Sequence, residues 1–182
     1  MNRLEIGNCC FVMIDMQEKL LKAIPHGVKC LENQELLLKA AAILDIDSIV
    51  TEQYPQGLGG TTDELKCLLP EDTPIIAKTS FSCCGESAFR TALKARHRDY
   101  VVVFGIEAHV CVQQTVMDLL EAGYKVIVAA DALASRTIGS CQLALDAMRQ
   151  AGAFVTSSES VIFMLLRDSR HPSFREISKL IK

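Results

Sequence analysis

Short apolar runs rich in β-branched residues, most of them followed by a stretch with helical periodicity, constrain the fold of this chain more than any other feature. The runs are CFVMI (10–14), SIV (48–50), PIIA (74–77), YVVVFGI (100–106), KVIVAA (125–130) and AFV (153–155). They read as strands covered on both faces. Helical patterns fall between most of them, over 33–44, 87–95, 112–122 and 141–151, with Gly123 and Gly152 placed as stops. This alternation predicts an α/β fold with a parallel sheet between two helical layers.

A chain of 182 residues can bury about 70% of its unfolded surface, which predicts one domain over 1–182 with its own core. Hydrophobic residues make up 49% and charged residues 23%, which excludes a disordered chain and a coiled coil. The longest stretch free of strongly polar residues, about 100–106, is far below the ~20 residues of a membrane span, so no membrane partner is expected. The opening MNRLEIGNCCFVMID carries Glu5 and ends its apolar run at Asp15, unlike a secretory or transit peptide, and reads as structure. Eight cysteines without a CxxC spacing, three of them in or beside apolar strand-like runs, fit reduced thiols. A cytoplasmic protein is expected, with mitochondrial association left open.

Charge and patterning also bear on partners. The net charge of −3, without a basic block, argues against an extended phosphate-binding surface, so nucleic acid is expected to be an unlikely partner. The segment ELLLKAAAIL (35–44) is apolar around most of its circumference, and SVIFMLL (160–166) adds a second apolar run. Both predict self-association, as a dimer or tetramer.

In open parallel sheets ligands sit beyond the carboxyl ends of the strands. Asp15 ends the first run, Lys78 the third, and Cys111 lies just past the fourth. Singly, each has a plainer reading: a helix cap, a solvated charge, a small core residue. Together they are the parts of an activated sulfur nucleophile. The ammonium and a helix N-terminus would favour the thiolate, and the carboxylate would accept the proton and return it to a leaving group. His109 offers a rival Cys-His pair, although residues two apart on a helix point away from each other.

The segments FVMIDMQ (11–17), AKTSFS (77–82) and GIEAHVCVQQT (105–115) resemble the isochorismatase-like cysteine hydrolases. TEQYPQGLG (51–59), DALASR (131–136), AGAFVTSSES (151–160) and LLRDSRHPSF (165–174) resemble more narrowly the eukaryotic isochorismatase domain-containing proteins. The resemblance implies a Rossmann-like α/β/α fold with strand order 3-2-1-4-5-6 and a Cys-Lys-Asp triad of Cys111, Lys78 and Asp15. It also implies a cis peptide between Ile106 and Glu107, with the amides of Glu107 and Cys111 as oxyanion hole.

The reading is therefore a metal-independent hydrolase of a small amide, carbamoyl or related substrate, needing no cofactor. Nicotinamidase-like relatives carry a metal site after the second strand, whereas 51–62 holds no histidine, and the histidines at 26, 97, 109 and 171 show no zinc spacing. Gln17, Gln53, Tyr54 and Phe81 follow strand ends and are expected to line the substrate pocket, with Glu52 a weaker candidate. The alternative is a non-catalytic interaction protein, or a nucleic-acid-associated one, that keeps the fold.

Overall fold

The computed structural model describes residues 3–25 and 27–181, with Val28 described by its backbone alone. The strands are β1 (Cys9–Ile14), β2 (Ser48–Gln53), β3 (Ile75–Lys78), β4 (Tyr100–Ile106), β5 (Lys125–Ala134) and β6 (Phe154–Thr156). They form one parallel sheet in the order β3-β2-β1-β4-β5-β6, as the resemblance implied. The helices are α1 (Glu18–Leu21), α2 (Gly27–Leu44), α3 (Pro55–Leu58), α4 (Asp63–Lys66), α5 (Ser87–Ala95), α6 (Gln113–Glu121), α7 (Ile138–Gln150), α8 (Ser158–Leu166) and α9 (Phe174–Leu180).

Side chains alternate across the sheet, and this gives the three layers. Cys9, Phe11 and Met13 of β1 join Tyr100, Val102 and Phe104 of β4 under α2, α8 and α9. Cys10, Val12 and Ile14 join Val101 and Val103 under α5, α6 and α7, through Phe89, Leu93, Val116, Leu119 and Met148. Each such aliphatic side chain taken from water contributes about 1.5–3 kcal/mol, so the two β-branched central strands carry much of the stability. Gly123 and Gly152 stand in left-handed conformations just past α6 and α7, where a Cβ would be strained.

Several boundaries differ from expectation for local reasons. Helix α7 starts at Ile138 rather than 141, because the Thr137 side chain caps the Ser140 amide. Strand β5 runs on to Ala134 through an irregularity opposite Val103 and Gly105. Asn33 and Gln34 of α2 donate to the Asp131 and Ala132 carbonyls there. The apolar circumference of α2 is covered within the chain by β5, α8 and α9. The 160–166 run is itself helix α8, burying Val161, Ile162, Leu165 and Leu166. The two segments from which self-association was read are thus largely occupied by the chain's own core.

Candidate active site

The strand order reverses its winding between β1 and β4, and the residues following these strands meet there. Register keeps them level: Ile14 pairs with Thr51 on one side and Gly105 on the other, and Gln53 pairs with Lys78. Gly105 has φ +128°, and a Cβ on it would lie 2.2 Å from the Ile14 carbonyl oxygen. Only glycine lets β4 pass β1 so closely. Beyond Gly105 the Ile106–Glu107 peptide is cis, followed by a π-helical turn, Ala108–Val112, that carries Cys111. Asp15 follows β1 in a left-handed conformation.

Asp15 and Lys78 are completely enclosed, with Asp15 Oδ2 at 2.7 Å from Lys78 Nζ. An ammonium has three N–H donors. Lys78 Nζ also lies within hydrogen-bonding distance of Gln53 Oε1 at 2.5 Å, the Phe81 carbonyl at 3.0 Å and the Ser80 carbonyl at 3.3 Å. Asp15 Oδ1 accepts from Thr51 Oγ1 at 2.8 Å, whereas Oδ2 is the oxygen paired with the Lys78 ammonium. Burial works to lower the Lys78 pKa, but the charges of Asp15 and Cys111 outweigh it and the balance is a raised value.

Cys111 is buried within hydrogen-bonding reach of both Asp15 and Lys78, its Sγ 3.9 Å from Gln53 Oε1. Burial and the Asp15 carboxylate push its thiol up to about 12, against the lowering effect of Lys78. The lowering expected of Lys78 is thus present but outweighed. The Asp15 carboxylate offsets the ammonium, and burial disfavours the charged form of the sulfur.

The other expected residues divide into fasteners and rim. Gln17 is fully buried; its amide donates to the carbonyls of Gln53 and Gly59 and accepts from the Gln53 N–H. Glu52 accepts from the Thr61 N–H and hydroxyl. Gln17 ties the loop after β2 to the end of β1, and Glu52 ties the same loop back to β2. Gln53 faces Lys78 and, through Nε2, the Thr79 carbonyl. Tyr54 and Phe81 are the exposed pair, each more than half accessible. Gly57 makes room for the Tyr54 ring, since a Cβ there would lie 2.3 Å from a ring carbon. Glu107 turns its carboxylate to Arg136, 3.0 Å away, and His109 Nδ1 meets Ser135 Oγ at 3.0 Å.

Sequence reasoning missed the support behind these groups: Thr51, Cys83 and Thr115, all fully buried. A threonine continuing the apolar run of β2 was the available signal, because a hydroxyl buried in a strand needs a partner. Among the described residues no three His, Cys, Asp or Glu side chains gather to hold a metal ion, and His26 lies outside them. Among those residues, too, no helix is long and apolar enough to cross a membrane.

Comparison with known proteins bears on this geometry. The isochorismatase domain family matches residues 9–160. Isochorismatase domain-containing protein 1 of Salmo salar is 40% identical over 174 residues, covering 96% of this chain and 59% of that protein. The chain therefore spans little more than half of that relative's length. The structure of MAR1 ribonuclease from Caenorhabditis elegans superposes with a TM-score of 0.94 at 44% identity, over 99% of this chain and 92% of that one. YcaC from Pseudomonas aeruginosa, in a structure with covalent acrylamide, superposes with a TM-score of 0.91 at 26% identity, over 98% and 91% of the two chains. The likeness to a ribonuclease overturns the expectation that nucleic acid is an unlikely partner. A net charge describes the whole surface and says little about a local groove.

Proposed function

This chain belongs to the isochorismatase family, and from that premise we propose that it hydrolyses a small amide, carbamoyl or related acyl substrate with Cys111 as nucleophile. The observation that carries the reading is the buried Asp15–Lys78 ion pair with the Cys111 thiol in hydrogen-bonding reach of both. Asp15 Oδ2 takes the Cys111 proton as the sulfur attacks the carbonyl carbon, so the thiolate forms only as it is consumed. The amides of Glu107 and Cys111 receive the oxyanion. Asp15 then protonates the leaving nitrogen, and a water activated by the same carboxylate cleaves the thioester. Lys78, held by Gln53 and two carbonyls, sets its positive charge against Asp15. Tyr54 and Phe81 stand at the mouth and set which substrates enter. The covalent acrylamide in the YcaC structure supports reactivity toward small amide-bearing electrophiles in this fold. Screening small amides with wild type and Cys111→Ala tests the reading: turnover lost in the variant supports it, and equal turnover contradicts it.

A second reading is favoured by the likeness to MAR1 ribonuclease. Here Asp15 takes the proton of an RNA 2′-hydroxyl as the hydroxyl oxygen bonds to the adjacent phosphorus and the bond from phosphorus to the 5′ oxygen breaks. Asp15 returns the proton to that leaving oxygen, and Lys78 balances charge on the phosphate. Incubation with short single-stranded RNA at two salt concentrations separates the two readings. Cleavage lost in Asp15→Asn but kept in Cys111→Ala would select RNA.

A further inference from the structure

Thr51 lies at the level of Ile14, and its hydroxyl is enclosed between Asp15 and Cys83. An ionised carboxylate only accepts, so the single Thr51 O–H must point at Asp15 Oδ1, 2.8 Å away. The Cys83 thiol, 3.6 Å on the other side, donates to the Thr51 oxygen and so closes off the alternative orientation of the hydroxyl. Cys83 is anchored in turn: its N–H donates at 2.9 Å to Thr115 Oγ1, whose own proton goes to the Cys111 carbonyl at 2.7 Å. A buried chain of hydrogen bonds thus runs from the backbone of Cys111 through Thr115, Cys83 and Thr51 to the far oxygen of Asp15. Buried polar groups cost free energy unless paired, and an apolar side chain at 51 would fill the same space without needing partners.

We propose that Thr51 is a positioning residue: by binding Oδ1 it fixes the carboxylate plane and leaves Oδ2 as the oxygen that exchanges a proton with Cys111. This rests on the triad reading above and adds to it the group that decides which oxygen works. The groups facing Asp15 are Lys78 from β3, Cys111 from the π-helical turn, Cys83 from the turn Cys83–Gly85 and Thr51 from β2. Of these Thr51 alone carries no titratable group, so replacing it changes the acid without adding or removing a charge.

The test is the rate of iodoacetamide alkylation of Cys111, read by mass spectrometry from about pH 5 to about pH 9, with the exposed Cys67 as internal clock. Thr51→Val removes one hydrogen bond to the ionised carboxylate and frees it to rotate. Cys111 labelling is then expected to slow roughly ten-fold to a hundred-fold, and its acid limb to move to higher pH. Thr51→Ser, which keeps the donor, restores the wild-type limb, while Cys67 labels alike in all three. A purely structural role would leave the limb in place and would not separate serine from valine. If Thr51→Val reproduces the wild-type profile while Asp15→Asn slows labelling, the positioning role is wrong and the triad stands. If Asp15→Asn also labels as wild type, the triad reading fails and the role of Thr51 falls with it.

Discussion

Asp15 Oδ2 and Lys78 Nζ lie 2.7 Å apart in a fully buried ion pair that has the Cys111 thiol within reach of both partners. The ammonium also reaches Gln53 Oε1 and the carbonyls of Ser80 and Phe81. The carboxylate thus has a counter-charge beside it and lone pairs that can receive a proton.

The first prediction concerns that pair. Lys78→Met leaves the Asp15 carboxylate buried without its counter-charge, and the expected loss is about 3–5 kcal/mol. Urea denaturation checks it. The double variant Asp15→Asn with Lys78→Met should recover part of the loss, because the uncompensated charge is gone. A single variant with the wild-type midpoint would show that water reaches the site and solvates the charge.

Alkaline pH should unfold the protein sooner than its carboxylates suggest. Burial, the largest cause in each case, raises Cys9, Cys10, Cys30 and Cys111 from 9.0 to about 12 and Cys83 to about 11. With folded values above unfolded ones, the folded chain holds more protons between them. The stabilisation is whole below about pH 9 and is lost as pH rises toward 12, at up to about 1.4 kcal/mol per pH unit for each thiol. Urea midpoints at rising pH should be level near neutrality and fall steeply above about pH 9. A level midpoint to about pH 10.5 would mean that these thiols ionise without unfolding.

Gly105→Ala should be among the most damaging single-methyl additions in the chain. Its Cβ would meet the Ile14 carbonyl at 2.2 Å in a backbone region unfavourable to alanine, so the central strands must part. A cost above about 3 kcal/mol is expected, measurable as a lowered thermal midpoint. Gly139, where a Cβ meets nothing within 4 Å, is the control and should tolerate alanine.

Self-association is predicted from a different surface than the sequence suggested. Ile138 and Leu143 of α7 are 69% and 73% exposed, and Phe163 of α8 is 42% exposed. Light scattering should show a species larger than the single chain, and Leu143→Glu should reduce its size if α7 is the contact. A single-chain mass for the wild type at micromolar concentration would contradict this.

How far the sequence could be read follows from where each signal lies. The central strands were legible because Val101–Val103 and Phe11–Ile14 are buried on both faces and so form unbroken apolar runs. Helix α9 was not read, since its seven residues carry one buried side chain, Ile177, and little periodic pattern. The acid, ammonium and thiol could be named because a parallel sheet delivers strand ends to one edge. The work of Gln17 and Gln53 could not, because an amide side chain offers donor and acceptor alike, and only the fold shows that these two serve the loop and Lys78. The raised Cys111 pKa was hidden for the same reason: composition names the neighbours of a thiol but not its burial.

The most direct measurement of the central claim is tandem mass spectrometry of the native protein after brief exposure to acrylamide near neutral pH, in wild type and Asp15→Asn. The account predicts an adduct on Cys111 in wild type, in spite of its burial and its thiol near 12, because Asp15 takes the proton. That adduct should be lost in Asp15→Asn, with the exposed Cys67 labelled equally in both. Adducts on Cys67 alone in both proteins, or on Cys111 to the same extent in both, would contradict it.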